Sequence, residues 1–174
     1  MLTDTQIEDD RWTQADLAGL AERAARATLD HLGLDPDLYV VSLLGCNDAR
    51  IAVLNAEFRG KPLPTNVLSW PAQDLAAEED GEAPYVPDDT PQDDPFAVDI
   101  EEEGIALGDI AIAWETCQRE ATETGKPFAD HVTHLVVHGT LHLLGYDHLR
   151  DKDATLMETI EVVILGRMGV PDPY

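Results

Sequence analysis

Along this chain the apolar positions fall into two rhythms. Leu17, Leu20, Ala21, Ala24, Ala25, Thr28, Leu29 and Leu32 keep three-to-four spacing up to Gly33, which predicts a helix and its stop. Thr13, with Asp16 three residues on, is a variant capping box for its start, and His31 in its last turn complements the helix dipole. A second helix runs from Asn47 or Asp48 as cap through Ile51, Leu54 and Phe58 to Gly60. A short one is predicted over 115–124, stopped by Gly125. Pro127 then stands where a first-turn proline belongs and opens a helix that reaches Leu144. The last helix starts at Asp151 or Asp153 and carries Leu156, Ile160, Val163, Ile164 and Arg167 to Gly169. Between these lie runs with strand character: residues 2–8 as a short edge strand, 39–44, an extended strand late in 59–71 that Pro71 closes, and 105–114. Together they predict an α+β fold, a small sheet of about four strands with helices packed on its faces.

Residues 72–104 have neither rhythm. They are crowded with Asp, Glu and Pro and contain no Lys or Arg. Such a segment buries too little apolar surface to offset its ordering entropy, so a mobile acidic loop between two strands is expected there. The whole, residues 1–174, is read as one domain, large enough to bury a core.

Composition narrows the classes. Apolar residues make up 44 %, and no run of about 18 of them occurs, which argues against a membrane span. Cys46 and Cys117 are too few and too far apart for a disulfide framework or a thiolate-rich metal site. The acidic start lacks the basic-then-apolar order of a signal peptide, and a cytoplasmic location is expected. The formal net charge of −24 weighs against nucleic acid as a partner, because phosphate neutralisation supplies most of that affinity. Much of the excess lies in the acidic loop, and net charge does not describe a local site.

The chemistry concentrates between residues 138 and 148. His138 and His142 stand four apart, one above the other on a helix. Gly145 can take the left-handed conformation that ends the helix and returns His148 under the same ion. Three neutral imidazoles and one open position describe a catalytic zinc site. The spacing His-x-x-x-His-x-x-Gly-x-x-His is that of the metzincin peptidases, except that their general-base Glu is here Gly139. A histidine-rich helix merely packed in the core is the plain alternative. His131 and His134 share the helix face, but His134 lies about 12 Å along the axis from His142, too far for one ion. Both are expected to support the site or the fold. Asp147 is a candidate to orient a ligand or the bound water, or simply to stabilise the turn.

Arg59 and Lys61 sit in a loop feeding the strand that Pro71 closes. They form a close basic pair outside any acidic cluster, and a guanidinium there suits bidentate phosphate recognition. A solvated arginine at a helix end is the competing reading.

These pieces together resemble the YbeY family of bacterial rRNA maturation factors, zinc-dependent endoribonucleases. The resemblance rests on Arg59-Gly60-Lys61, on 64–71 (Pro-Thr-Asn-Val-Leu-Ser-Trp-Pro), on Leu107-Gly108-Asp109-Ile110 and on 138–148, and runs from about residue 40 to Tyr174. The acidic loop looks longer than is usual for such proteins. The resemblance implies a mixed sheet with the metal helix against it, and one Zn2+ per chain at His138, His142 and His148. It also implies Arg59 as the functional arginine, with His142 and Arg59 catalytic and Arg59 and Lys61 on the substrate. The implied work is single-strand RNA cleavage in 3′-end maturation of small-subunit (16S) rRNA and in ribosome quality control. The implied partners are ribosomal RNA, small-subunit proteins and a ribosome-assembly GTPase, with no membrane and no DNA. A zinc ion with an open position lowers the pKa of its water to about 7, which supplies a base or nucleophile without a neighbouring Glu. Two other readings stay open: a metallopeptidase, and an assembly factor whose zinc is mainly structural.

Overall fold

Four short strands hydrogen-bond into one mixed sheet of order β1-β2-β4-β3. They are β1 (Thr3–Ile7), β2 (Tyr39–Cys46), β3 (Val67–Pro71) and β4 (Ile105–Ala113). β1, β2 and β4 run parallel, and β3 pairs antiparallel with β4. The order follows length. The long strands β2 and β4 take the centre, while the short β1 and β3 take the edges. Pro71, which has no N–H to give, ends an edge strand. The structure, a computed structural model, describes residues 2–87 and 104–174. The remainder of the expected acidic loop, 88–103, lies outside the described residues.

Six α-helices surround the sheet among the described residues: α1 (Arg11–Gln14), α2 (Leu17–His31), α3 (Asp48–Arg59), α4 (Trp114–Thr124), α5 (Phe128–Leu143) and α6 (Asp151–Arg167). The main core forms where α2 and α5 lie on one face, with Leu17, Ala21, Val136 and Leu141 against Val41, Ile110 and Ile112. On the other face Ile51 of α3 meets Leu68, Ala111 and Ala113. Each fully buried Leu or Ile here contributes about 1.5–3 kcal/mol relative to exposure. None of these helices is long and apolar enough to cross a membrane.

Two helix starts differ from the sequence reading. The first predicted helix is two: Trp12 is fully buried on the single turn of α1, donating its indole N–H to the Cys46 carbonyl at 2.8 Å. Asp16, not Thr13, then caps α2, taking a left-handed conformation (φ 55°) and accepting the Gly19 N–H at 3.3 Å. Asp tolerates that backbone better than most residues, and periodicity alone does not register the break. At α6, Asp153 does not cap. Its carboxylate accepts the Gly81 N–H at 2.8 Å and an Arg150 N–H at 2.6 Å.

Those bonds belong to a clamp on residues 72–87, which form no helix or strand. Arg150 donates to the carbonyls of Ala77 and Glu78, both at 2.9 Å, and Leu75 is buried. The clamp sets one wall beside the turn that ends α5.

At the β1 edge, Glu22 of α2 accepts the backbone N–H groups of Leu2 and Thr3 at 2.9 and 2.8 Å and the Thr3 hydroxyl at 2.6 Å. Burial alone would raise its pKa, but these hydrogen bonds and one from Arg26 outweigh it and hold the carboxyl at about 2.

Candidate metal centre

α5 is apolar on the sides facing α2 and the sheet, so its remaining side is free for imidazoles. It ends in a Schellman turn: the Gly145 N–H reaches the His142 carbonyl at 3.1 Å and the Tyr146 N–H reaches the Leu141 carbonyl at 3.0 Å. Gly145 has φ 99°, and a Cβ there would lie 2.7 Å from the Leu75 carbonyl. Both conformation and contact therefore demand glycine. The reversed chain returns His148 to His138 and His142. One ring nitrogen from each of the three lies within 4.8 Å of the others. The His138–His142, His138–His148 and His142–His148 ring centroids are 4.5, 5.4 and 5.1 Å apart.

Hydrogen bonding decides which nitrogens face inward. His142 Nδ1 is 2.9 Å from the Tyr146 carbonyl, an acceptor, so that nitrogen carries the proton. His138 Nδ1 is 2.5 Å from a carboxylate oxygen of Glu161, with the same consequence. Two bare Nε2 lone pairs are then left 3.0 Å apart. Such a pair repels unless a cation lies between. Tetrahedral zinc with N ligands at 2.0–2.1 Å places them about 3.3 Å apart, so the donor set and its spacing fit this ion. His142 is also kept neutral: burial, then the neighbouring His138 and His148, lower its pKa to about 4. Neutral imidazole is the ligand form.

His148 is half exposed and opens onto a cleft of about 530 Å³ that Arg59, Ser69, Leu75 and His142 also line. Arg59 stands in the last turn of α3 and, among the described residues, is steadied by one bond, donating to the Ser69 carbonyl at 3.2 Å. Its remaining donors are available to an anion in the cleft. Lys61 is exposed and is not among the residues lining this cleft. The Asp147 carboxylate accepts the backbone N–H of His148 at 2.6 Å and lies 3.9 Å from its ring, a turn contact first.

The other two histidines of α5 are tied elsewhere. His131 Nε2 is 3.1 Å from Glu120, which also accepts from the Asn66 side chain at 3.1 Å, so it joins α4, α5 and the start of β3. His134 Nε2 is 3.3 Å from Glu161.

Glu161 escaped the sequence reading. It is fully buried on α6 and bound by His134, His138 and the Tyr174 hydroxyl. Burial would raise its pKa, yet the hydrogen bonds from His134, His138 and Tyr174 together hold it at about 2. The available signal was an acid on the apolar face of α6, four residues from both buried Met157 and buried Leu165.

The chain thus combines a mixed-sheet α+β fold with three convergent imidazoles that could hold a metal ion, two of which share an open cleft with an arginine. Comparison with known proteins makes this specific. The family model described as Endoribonuclease YbeY matches residues 3–169, and the chain belongs to that family. Proteins named Endoribonuclease YbeY are similar to it in Ruegeria pomeroyi and in Paracoccus denitrificans. The first is 62 % identical over 174 residues, covering 100 % of this chain and 98 % of the relative. The second is 57 % identical over 171 residues, covering 98 % and 88 %. The solution structure of TM1509 from Thermotoga maritima superposes with a TM-score of 0.53 at 19 % identity, covering 96 % of this chain and 91 % of that one. That likeness concerns the fold alone.

Proposed function

We propose that this protein is a zinc-dependent endoribonuclease that cuts single-stranded RNA in 3′-end maturation of small-subunit rRNA, with His138, His142 and His148 holding the ion. The observation that carries the reading is the convergence of three ring nitrogens, two of them, from His142 and His148, on residues that line one cleft with Arg59. The family relationship supplies RNA as the substrate class. Zinc held there would supply Lewis acidity toward a phosphoryl oxygen and acidify a water to near neutrality.

The chain's own residues do the rest. Arg59 places its fork on the non-bridging oxygens of the scissile phosphate and offsets the charge that builds there in the transition state. Its bond to the Ser69 carbonyl sets the fork's direction. Ser69 and the 71–76 wall, held by the Arg150 clamp, line the path of an extended strand toward His148. Lys61, outside the cleft, acts on flanking phosphates as a mobile charge. Ribosomal RNA, small-subunit proteins and an assembly GTPase in the cytoplasm are the working context of this reading.

A peptidase reading loses its footing at Gly139. A Cβ there would lie 3.1 Å from Ile110 Cδ1, so a side chain at 139 meets β4 instead of the cleft. The deciding experiment incubates purified zinc-loaded protein, and its His142→Ala variant, with single-stranded RNA spanning the 3′ end of 16S rRNA. Cleavage by the first and none by the second is expected. Equal cleavage by both would end the metal-centred reading. If neither cuts while His142→Ala still supports maturation in cells, the protein is an assembly factor with a structural ion.

A further inference from the structure

The buried carboxylate of Glu161 sits where three groups from two elements meet. His138 Nδ1 lies 2.5 Å from Oε1, His134 Nε2 lies 3.3 Å from Oε2, and the Tyr174 hydroxyl donates to Oε2. The side chain is 0 % exposed, so no water competes for its oxygens. His134, His138 and Glu161 also form a group of possible ligands. The spacing argues against an ion there. An Nδ1 and a carboxylate oxygen 2.5 Å apart share a proton, whereas two ligands of one zinc stand about 3.3 Å apart. The set is a hydrogen-bonded knot in which the acid only accepts.

We infer that Glu161 is a positioning residue for the metal centre: it keeps the His138 proton on Nδ1, leaves Nε2 bare toward His142, and is itself aimed by Tyr174 and His134. This rests on the zinc reading above.

Each step follows from the hydrogen-bond inventory. An ionised carboxylate cannot donate, so a neutral His138 bound to it must carry its proton on Nδ1. The other nitrogen is then the lone pair that a cation needs. His142 reaches the same state by a backbone route, through the Tyr146 carbonyl. The two ligands of α5 are thus set by different parts of the chain: one by the helix's own terminal turn, the other by α6 and the residues following it. Lys126, which donates to the Pro173 carbonyl at 3.1 Å, pins the segment that delivers Tyr174. Among the described residues the groups bound to Glu161 are His134 and His138 from α5 and Tyr174, with no lysine or arginine.

Glu161→Gln tests this with little change of shape. The amide can turn its NH2 toward His138 Nδ1, which moves the imidazole proton to Nε2 and blocks the ligand position. Two readouts are needed. In metal-free protein at about pH 8, above the ordinary imidazole range, long-range 15N–1H spectra report the ring tautomers. Wild type should show His138 with Nδ1–H, and Glu161→Gln should show a substantial share of Nε2–H, with His142 unchanged. In chelator competition, Glu161→Gln should bind zinc about 10–100-fold more weakly than wild type, and Tyr174→Phe should lie between them. If wild type binds no zinc, the zinc reading fails. If wild type binds zinc and Glu161→Gln matches it in affinity and tautomer, the positioning role is overturned. Should Glu161→Gln not fold, the wild-type spectrum alone decides, since an Nε2–H tautomer at His138 contradicts the inference.

Discussion

Glu22 and Glu161 are both carboxylates drawn out of water and held at a pKa of about 2, but by different partners. Around Glu22 the donors are backbone N–H groups of Leu2 and Thr3 with one hydroxyl and Arg26. Around Glu161 they are two imidazoles and a phenol. The first acid stitches the β1 edge to α2, where the groups it satisfies have no other task. The second binds His138, whose other ring nitrogen faces His142 in the candidate metal centre. Similar physics therefore stabilises the fold in one region and aligns a site in the other, and the partners' free atoms tell which.

The contrast can be broken from either side. The largest effect is expected from His142→Ala, which should abolish RNA cleavage and weaken zinc binding beyond the about 100-fold that loss of an outer hydrogen-bond partner costs. Metal titration and a cleavage assay check it, and the metal-free protein should still unfold cooperatively. Arg59→Ala should reduce turnover about 10²–10³-fold while leaving zinc affinity as in wild type. A matching loss of zinc would move Arg59 from the chemistry to the architecture.

On the fold side the signs reverse. Glu22→Ala strands two N–H groups and a hydroxyl, and should cost about 1–3 kcal/mol in urea unfolding, with zinc affinity unchanged. The pH dependence follows from its lowered pKa. The unfolded carboxyl binds protons near 4.5 and the folded one near 2, so its stabilisation is complete above 4.5 and is lost as pH falls toward 2. Glu22→Gln should flatten the stability profile in that window. The smallest effect belongs to Lys61→Ala, which should weaken RNA binding a few-fold and lower the salt slope by about 1. No change in the slope would remove Lys61 from the RNA path.

Much of the framework was legible because it is local. The four strand runs and the stops at Gly33, Gly60, Gly125 and Gly169 follow from spacing and from backbone that turns left-handed there. The relation between His138 and His142 is likewise a property of one helix turn. The break between α1 and α2 was not visible, since Thr13 and Asp16 both look like caps and only burial of Trp12 separates the two helices. Asp153 looked like a cap as well, and its true partner, Gly81, is 72 residues away.

By itself, then, the sequence determined most of the elements, the ladder of imidazoles on α5 and the glycine turn that returns His148, because these depend on neighbours within a few residues. Only the tertiary structure decided that Arg59 shares a cleft with His142 and that Gly139 meets Ile110. It alone placed Glu161 under His138 while His131 serves Glu120. Those facts depend on which faces of separate elements meet once the apolar surfaces of α2, α5 and α6 are buried together. Hydrophobic burial is non-directional, and it carries polar side chains to partners that no spacing along the chain encodes.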